Sequence, residues 1–366
     1  MCRIITVANQ KGGVTKTTIC QHLSYLLAEQ GRRVLCVDFD PQINLTSTLL
    51  PDGQAVGMDI SGVMACLLED QDLPVPSSYI QRCGKADLIP GSKNLGKLET
   101  SLLTEMGTER FLQEILSPLR AHYDYILIDT NRAASPLMTN ALTAADSVLV
   151  PICPEFYSTE GLSDLIASVL KNRRRLNPHI QFEGIVFSRC NLRTNLYRTT
   201  RANVETAFRG EIRVFKTAIP DTVKVGDAIS RGLTVMEYAP ESKASSAYRA
   251  FAKEVLASET ERAPAERHFG QLPGQVHHAD GGTGGPPGPG KAESHRGGDP
   301  DDYPVPPGRR AAVHWAQPCT YRNPRLPQGV RGHYHLSHRS AGKAETGGGI
   351  KTKDGIAPVL SLAFYR

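Results

Sequence analysis

The 366-residue chain has no run of about 18 apolar residues, the length a helix needs to cross a bilayer, so no membrane span is expected. Its opening, MCRIITVANQKGG, lacks a basic segment followed by an apolar stretch and a small-residue cleavage site, and reads as a strand that begins the fold. None of the eight cysteines forms a CxxC pair, which argues against the usual zinc and iron–sulfur spacings. Several sit inside apolar strand patterns, as Cys36 does in RRVLCVDFD, which suits buried reduced thiols in a cytosolic protein. Excess charge is also missing where the fold is expected. Residues 1–262 hold 29 Lys+Arg and 29 Asp+Glu, so the net +5 arises entirely beyond Arg262. Any contact with nucleic acid must therefore rest on a local patch.

What is present is an alternation of short β-branched runs with helical patterns, with 40% hydrophobic residues to build a core. Strands are predicted at 4–9, 33–39, 86–91, 123–129, 147–153, 183–189 and 214–220. Most are apolar on both faces, as a parallel sheet covered by helices on both sides requires. Helices are predicted from Thr17 to Gly31, with Gly31 as the C-terminal cap, from Glu109 to Ala121, and from Ser242 to Ala257. The expected architecture is α/β, a three-layer fold around a mostly parallel, doubly wound sheet, over residues 1–258. The segment 259–366 holds more than half of the 33 glycines and 25 prolines and most of the 11 histidines. Its low-complexity composition predicts disorder. The irregular histidine spacing argues against a metal site. That the tail is GC-rich DNA read out of frame stays open beside this.

The central motif is Lys11-Gly12-Gly13-Val14-Thr15-Lys16-Thr17-Thr18, between the first strand and the first helix. Consecutive backbone N–H groups at a helix N-terminus make an anion cradle, and the helix dipole adds positive potential. Gly12 and Gly13 let backbone approach phosphate without a Cβ in the way. Lys16 reaches the β- and γ-phosphates and Thr17 ligates Mg²⁺ in such a loop. The strict GxxxxGK[ST] pattern is not met, since Gln10 and Thr15 stand where its glycines fall. The deviant form KGGxxK[ST]T is met.

Two acidic motifs support this reading. Asp38 and Asp40, in VDFDPQ, end the second strand and face different directions. One suits the metal shell or a switch, and the other the orientation of a water. Asp129 ends the apolar strand YILID, the Walker B arrangement for holding Mg²⁺. A single strand-end Asp is uninformative. Three of them converging on the sheet edge beside a phosphate loop mark a nucleotide site.

NQKGGVTKTT, VLCVDFDPQINLTS, YDYILIDT, TNALTAADSVLVPICPEFYSTEGLSDL and EYAPESKASSAYRAFAKEV together resemble the ParA/Soj family of deviant Walker ATPases. The resemblance covers about residues 1–258. It implies ATP and Mg²⁺ as cofactors and ATP hydrolysis as the activity, in a bacterial cytoplasmic, nucleoid-associated protein that segregates chromosomes or plasmids. It implies Lys11 as a lysine that crosses a homodimer interface to the partner's nucleotide, Lys16 as the phosphate lysine and Thr17 as a metal ligand. It implies Asp40 as the residue needed for hydrolysis, Asp38 in the same switch, Asp129 as the Walker B acid, and Pro220 beside the nucleotide. It implies non-specific double-stranded DNA and a ParB-like centromere-binding protein as partners. Three departures stand out. Thr15 replaces a glycine, Asn131-Arg132 replaces a pair of prolines beside the γ-phosphate, and Asp221 replaces an arginine in the segment Ile219-Pro220-Asp221-Thr222. Loss of the prolines is expected to loosen the switch and slow hydrolysis.

From Arg189 to Arg231 there are nine Lys+Arg against four Asp+Glu. Arg193, Arg198, Arg201, Lys224 and Arg231 are the candidate phosphate contacts to DNA, Arg193 and Lys224 foremost. An ordinary solvated helix face is the competing reading. The run Lys171–Arg175 is a second basic cluster at a helix end, where cations suit the dipole anyway. Two other functional readings remain: a nucleotide-binding regulator with weak hydrolysis, and a MinD-like membrane-cycling ATPase, for which the tail supplies no basic amphipathic helix.

Overall fold

The computed structural model describes residues 2–50, 57–132, 135–155 and 158–261. The last helix ends at Glu261, and the predicted disorder of the tail beyond it concerns residues outside those described. The strands are β1 (Arg3–Val7), β2 (Val34–Phe39), β3 (Gln81–Cys83), β4 (Ala86–Ile89), β5 (Tyr125–Thr130), β6 (Ser147–Ile152), β7 (Gln181–Cys190) and β8 (Val214–Pro220). They form one eight-stranded sheet in the order β3-β4-β2-β5-β1-β6-β7-β8. Every pairing is parallel except β3 with β4. All seven predicted strands form within a few residues of their expected bounds. The edge strand β3 was not predicted. It is three residues long, QRC carries no apolar period, and it exists because a two-residue turn at Gly84-Lys85, with Gly84 at φ +61°, folds it back onto β4.

The helices are α1 (Lys16–Glu29), α2 (Asn44–Leu49), α3 (Ile60–Leu68), α4 (Leu95–Thr104), α5 (Phe111–Leu116), α6 (Pro136–Ala144), α7 (Ser158–Arg175), α8 (Asn195–Ala207), α9 (Val223–Ile229), α10 (Val235–Tyr238) and α11 (Lys243–Glu261). Alternate residues of the central strands enter opposite cores. Ile126 and Ile128 of β5 pack with α3 to α8, and Leu127 with α1, α2, α9, α10 and α11. This is the expected three-layer arrangement, and it explains why the strands are apolar throughout. The helix predicted over 109–121 is a correction. It is cut to α5, flanked by 3₁₀ turns at Thr108–Arg110 and Pro118–Ala121, because Pro118 lacks the N–H that would continue it. Among the described residues no helix is long and apolar enough to cross a membrane. The described cysteines are free thiols, most of them buried.

Two features of this topology place the site. β1 lies mid-sheet between β5 and β6, so the loop leaving it opens where the strand order diverges to either side. Parallel register brings Val7, Asp129 and Asp38 level on β1, β5 and β2 at one edge.

Candidate nucleotide and metal site

Helix α1 begins without a side-chain cap, as do α2, α4 and α5, whereas α3, α6, α8, α9 and α10 each begin with an Asp, Ser or Thr oxygen accepting from the first turn. The first turn of α1, directly after the glycine loop, lines a cavity of about 590 Å³. Gly13, Val14, Thr15, Lys16, Thr17 and Thr18 line it, facing Asp40 and Arg132. Gly13 takes φ +74° and Thr15 φ +66°. The second value explains why glycine suits position 15. A β-branched residue in the left-handed region carries about 1–2 kcal/mol of strain, and Thr15 bears it while its hydroxyl donates to the Val14 carbonyl at 2.6 Å. Ile43 before α2 (φ +55°) and Arg189 at the end of β7 (φ +50°) are likewise left-handed.

The loop is held from below. Asn9, buried, donates to the Pro151 carbonyl at 2.7 Å and accepts from the Lys11 N–H at 2.9 Å. The Ser188 hydroxyl sits 3.2 Å from the Val14 carbonyl, and Arg189 donates to the Gly13 carbonyl at 3.3 Å. Lys16 is only 7% exposed, and its ammonium donates to the Asn9 carbonyl at 3.2 Å. Burial lowers its pKa, against the pull of Asp129 and Asp40.

Asp129 is fully buried at the end of β5 beside Thr17 and Lys16, and no well-formed hydrogen bond reaches either of its carboxylate oxygens. Desolvation pushes its pKa well up, helped by the neighbouring Asp38 and opposed by the Thr17 hydroxyl and Lys16. An orphaned buried carboxylate beside a threonine hydroxyl has the chemistry of a hard-cation site, and Thr17 with Asp129 fits Mg²⁺. Asp40 lines the cavity and accepts from the Gln42 N–H at 2.9 Å.

Asp38, a candidate for the metal shell or the switch, is engaged within the fold. One of its oxygens accepts from both the N–H and the hydroxyl of Thr46 at 2.7 Å, and the other from the Asp40 N–H at 3.3 Å. Burial pushes its pKa up to about 6 against those bonds. Asp38 therefore ties β2 to the start of α2 and sets the turn that presents Asp40. Gly91 permits this, since a Cβ there would meet the Asp38 carboxylate carbon at 2.8 Å. Nothing in the local spacing announced Thr46 or Gly91 as its partners.

Pro220 lines a second, adjoining cleft of about 260 Å³ with Thr15, Thr18, Ile229 and Tyr248. Asp221, one of the departures, pairs loosely with Arg189 at 3.7 Å.

The basic candidates separate into two groups. Arg193, Arg198 and Lys224 are exposed near the N-termini of α8 and α9, beside the exposed Leu192, Leu196 and Val223. Arg201 is a correction, for its side chain is only 19% exposed. It bonds Glu205 at 2.8 Å and the Phe215 carbonyl at 3.1 Å and packs over Phe187, so it is committed to the fold. Arg231 is exposed but stacks on Tyr238 at 4.6 Å. The chain pattern of charges could not show which arginines had partners inside the fold.

A parallel sheet, an uncapped glycine loop after its central strand and converging carboxylates define a P-loop nucleotide-binding protein. A family model described as an AAA domain matches residues 2–182. The sporulation initiation inhibitor protein Soj of Bacillus subtilis is 37% identical over 262 residues, 70% of this chain and 100% of that one. The chromosome partitioning protein ParA of Myxococcus xanthus is 35% identical over 272 residues, 72% of this chain and 92% of that one. Among solved structures, cobyrinic acid a,c-diamide synthase of Mycobacterium smegmatis with bound ATP analog and magnesium matches with a TM-score of 0.60 and 32% identity, over 72% of this chain and 98% of that one. The chain belongs to the ParA/Soj family of partition ATPases.

Proposed function

We propose that this protein is an ATP-driven partition ATPase that closes into a homodimer on ATP, holds double-stranded DNA non-specifically in that state, and releases it when a ParB-like partner stimulates hydrolysis. The observation that supports it most is the pairing of an uncapped α1 with an orphaned buried Asp129, which together ask for an anion and a cation at one place. Bound Mg²⁺ neutralises phosphate charge and orients the triphosphate. Thr17 and Asp129 would hold it, the second through water. The first-turn N–H groups of α1 and the Lys16 ammonium bind the β- and γ-phosphates. Asp40 orients the attacking water. Lys11 lends its charge to the partner protomer's nucleotide, and Arg193, Arg198 and Lys224 meet DNA phosphates. The absence of a membrane-length helix among the described residues fits a cytoplasmic, nucleoid-associated role.

One experiment tests the cycle. Asp40→Ala should bind ATP, dimerise and stay on DNA, while Lys16→Ala should bind no nucleotide. If Asp40→Ala neither dimerises with ATP nor holds DNA more tightly than wild type, the cycle is wrong. A nucleotide-binding regulator with weak hydrolysis is the second reading, favoured by the strained Thr15 and the missing prolines at 131 and 132. Hydrolysis with DNA and partner present separates the two.

A further inference from the structure

Arg132 takes the place of a proline beside the nucleotide, and the structure gives it a definite position. A Cβ built on Gly12 would lie 2.5 Å from one Arg132 guanidinium nitrogen, 2.8 Å from its Cδ and 3.1 Å from its Cζ. The arginine side chain is therefore laid across the bare α-carbon of Gly12, at the lip of the phosphate loop. It lines the same cavity as Lys16, Thr17 and Asp40, and its charge acts on Lys16 across that cavity. Its backbone follows Asp129 by three residues, just past the end of β5. No hydrogen bond or ion pair engages the guanidinium among the described residues, and it is exposed to the cavity mouth. The other cations of the rim are engaged. Lys11, at the loop's start, is turned to Glu155 of its own chain at 2.6 Å, and Arg189 is bonded to the Gly13 carbonyl. Within one protomer, the uncommitted positive group facing the outer end of the cavity, among the described residues, is Arg132.

We infer that Arg132 binds the terminal phosphate of the triphosphate in cis, so that this chain distinguishes ATP from ADP through an arginine of its own. A guanidinium offers paired N–H donors that match phosphate oxygens, and it keeps its charge at any working pH. Placed over Gly12 and lining the same cavity as Lys16, Thr17 and Thr18, it can meet a phosphate that the first turn of α1 also binds. Gly12 is required for this as much as for phosphate approach, because any side chain there would push the arginine away. The replacement of stiff prolines by Asn131-Arg132 thereby exchanges a rigid switch for a charged one. Charge develops on the phosphoryl oxygens as the bond to the leaving group breaks, so the same contact assists hydrolysis.

This inference rests on the proposed ATP site, and its test separates the two. Affinities for Mg²⁺–ATP and Mg²⁺–ADP are measured by calorimetry on the full chain as wild type, Arg132→Ala and Arg132→Lys. Arg132→Ala should lose about tenfold or more in ATP affinity, the scale of one charge-assisted hydrogen bond, with ADP changed by less than about twofold. Arg132→Lys should recover part of the ATP loss, and single-turnover hydrolysis by Arg132→Ala should slow as well. Equal losses for ATP and ADP, or no loss for either, would overturn the role of Arg132 and leave the ATP site standing. Failure of the wild type to bind either nucleotide would overturn both.

Discussion

The Lys11 ammonium lies 2.6 Å from a carboxylate oxygen of Glu155, so the lysine assigned to a partner's nucleotide is held within its own chain. The two side chains are 31% and 54% exposed, and an ion pair so wetted contributes only about 0–1 kcal/mol. Such a pair is weak enough to give way to a triphosphate, which carries more charge. Glu155→Gln removes the competing acceptor. It should lower the protein concentration needed for ATP-dependent dimerisation by a few-fold in sedimentation velocity, whereas Lys11→Ala should abolish the dimer. An unchanged association for Glu155→Gln would make the pair incidental.

Asp129 sets function against stability. Its carboxylate is buried beside the Thr17 hydroxyl without a well-formed hydrogen bond, a state that costs about 1–3 kcal/mol. Asp129→Asn should raise Tm by a few degrees in the absence of Mg²⁺ and nucleotide. The same variant should lose the added thermal protection that Mg²⁺–ATP gives the wild type. A lower Tm in the bare protein would mean that the carboxylate has partners the geometry does not show.

The left-handed Thr15 predicts an uncommon gain from a glycine. Thr15→Gly relieves about 1–2 kcal/mol of backbone strain and gives back somewhat less in unfolded-chain entropy. Urea unfolding should show the variant equal to wild type or up to about 1 kcal/mol more stable. Gly13→Ala, at φ +74°, should instead lose about 1–2 kcal/mol.

His22 links α1 to α10. Its Nδ1 bonds the Thr18 carbonyl at 2.8 Å, so that nitrogen carries the proton, and Nε2 accepts from the Val235 N–H at 3.0 Å. The ring stacks on Tyr248, and burial lowers its pKa from 6.5 to about 4. The folded state thus disfavours the charged form. The stability contributed is full above pH 6.5 and is lost as pH falls toward 4, where the unfolded chain takes up a proton first. The loss over that window is on the order of 3 kcal/mol. His22→Gln should be less stable at pH 7 and should show a flatter slope between those pH values in denaturant titrations.

The two groups of basic residues predict different DNA phenotypes. Arg193→Ala and Lys224→Ala should weaken binding equally across sequences. Each should also reduce the slope of log affinity against log salt by about one for every DNA phosphate it no longer neutralises. Arg201→Ala should chiefly lower Tm, because it removes a cation bonded to the Phe215 carbonyl and packed on Phe187. A salt slope unchanged in the first two variants would place the DNA surface elsewhere.

The sheet's strands, the phosphate loop and the carboxylates at 40 and 129 are legible along the chain, because each is a local pattern of apolar period, glycine and strand-end charge. The sequence did not reveal β3, whose three residues have no period and whose pairing depends on a turn, nor the break at Pro118. Which charges are spent emerges only once the chain has folded. Asp38 is tied to Thr46, Arg201 to Phe215, and Lys11 to the distant Glu155, while Asp129 and Arg132 are left without such partners among the described residues. The physical reason is that a side chain's chemistry depends on what the fold places within about 4 Å of it, and separation along the chain carries no information about that distance.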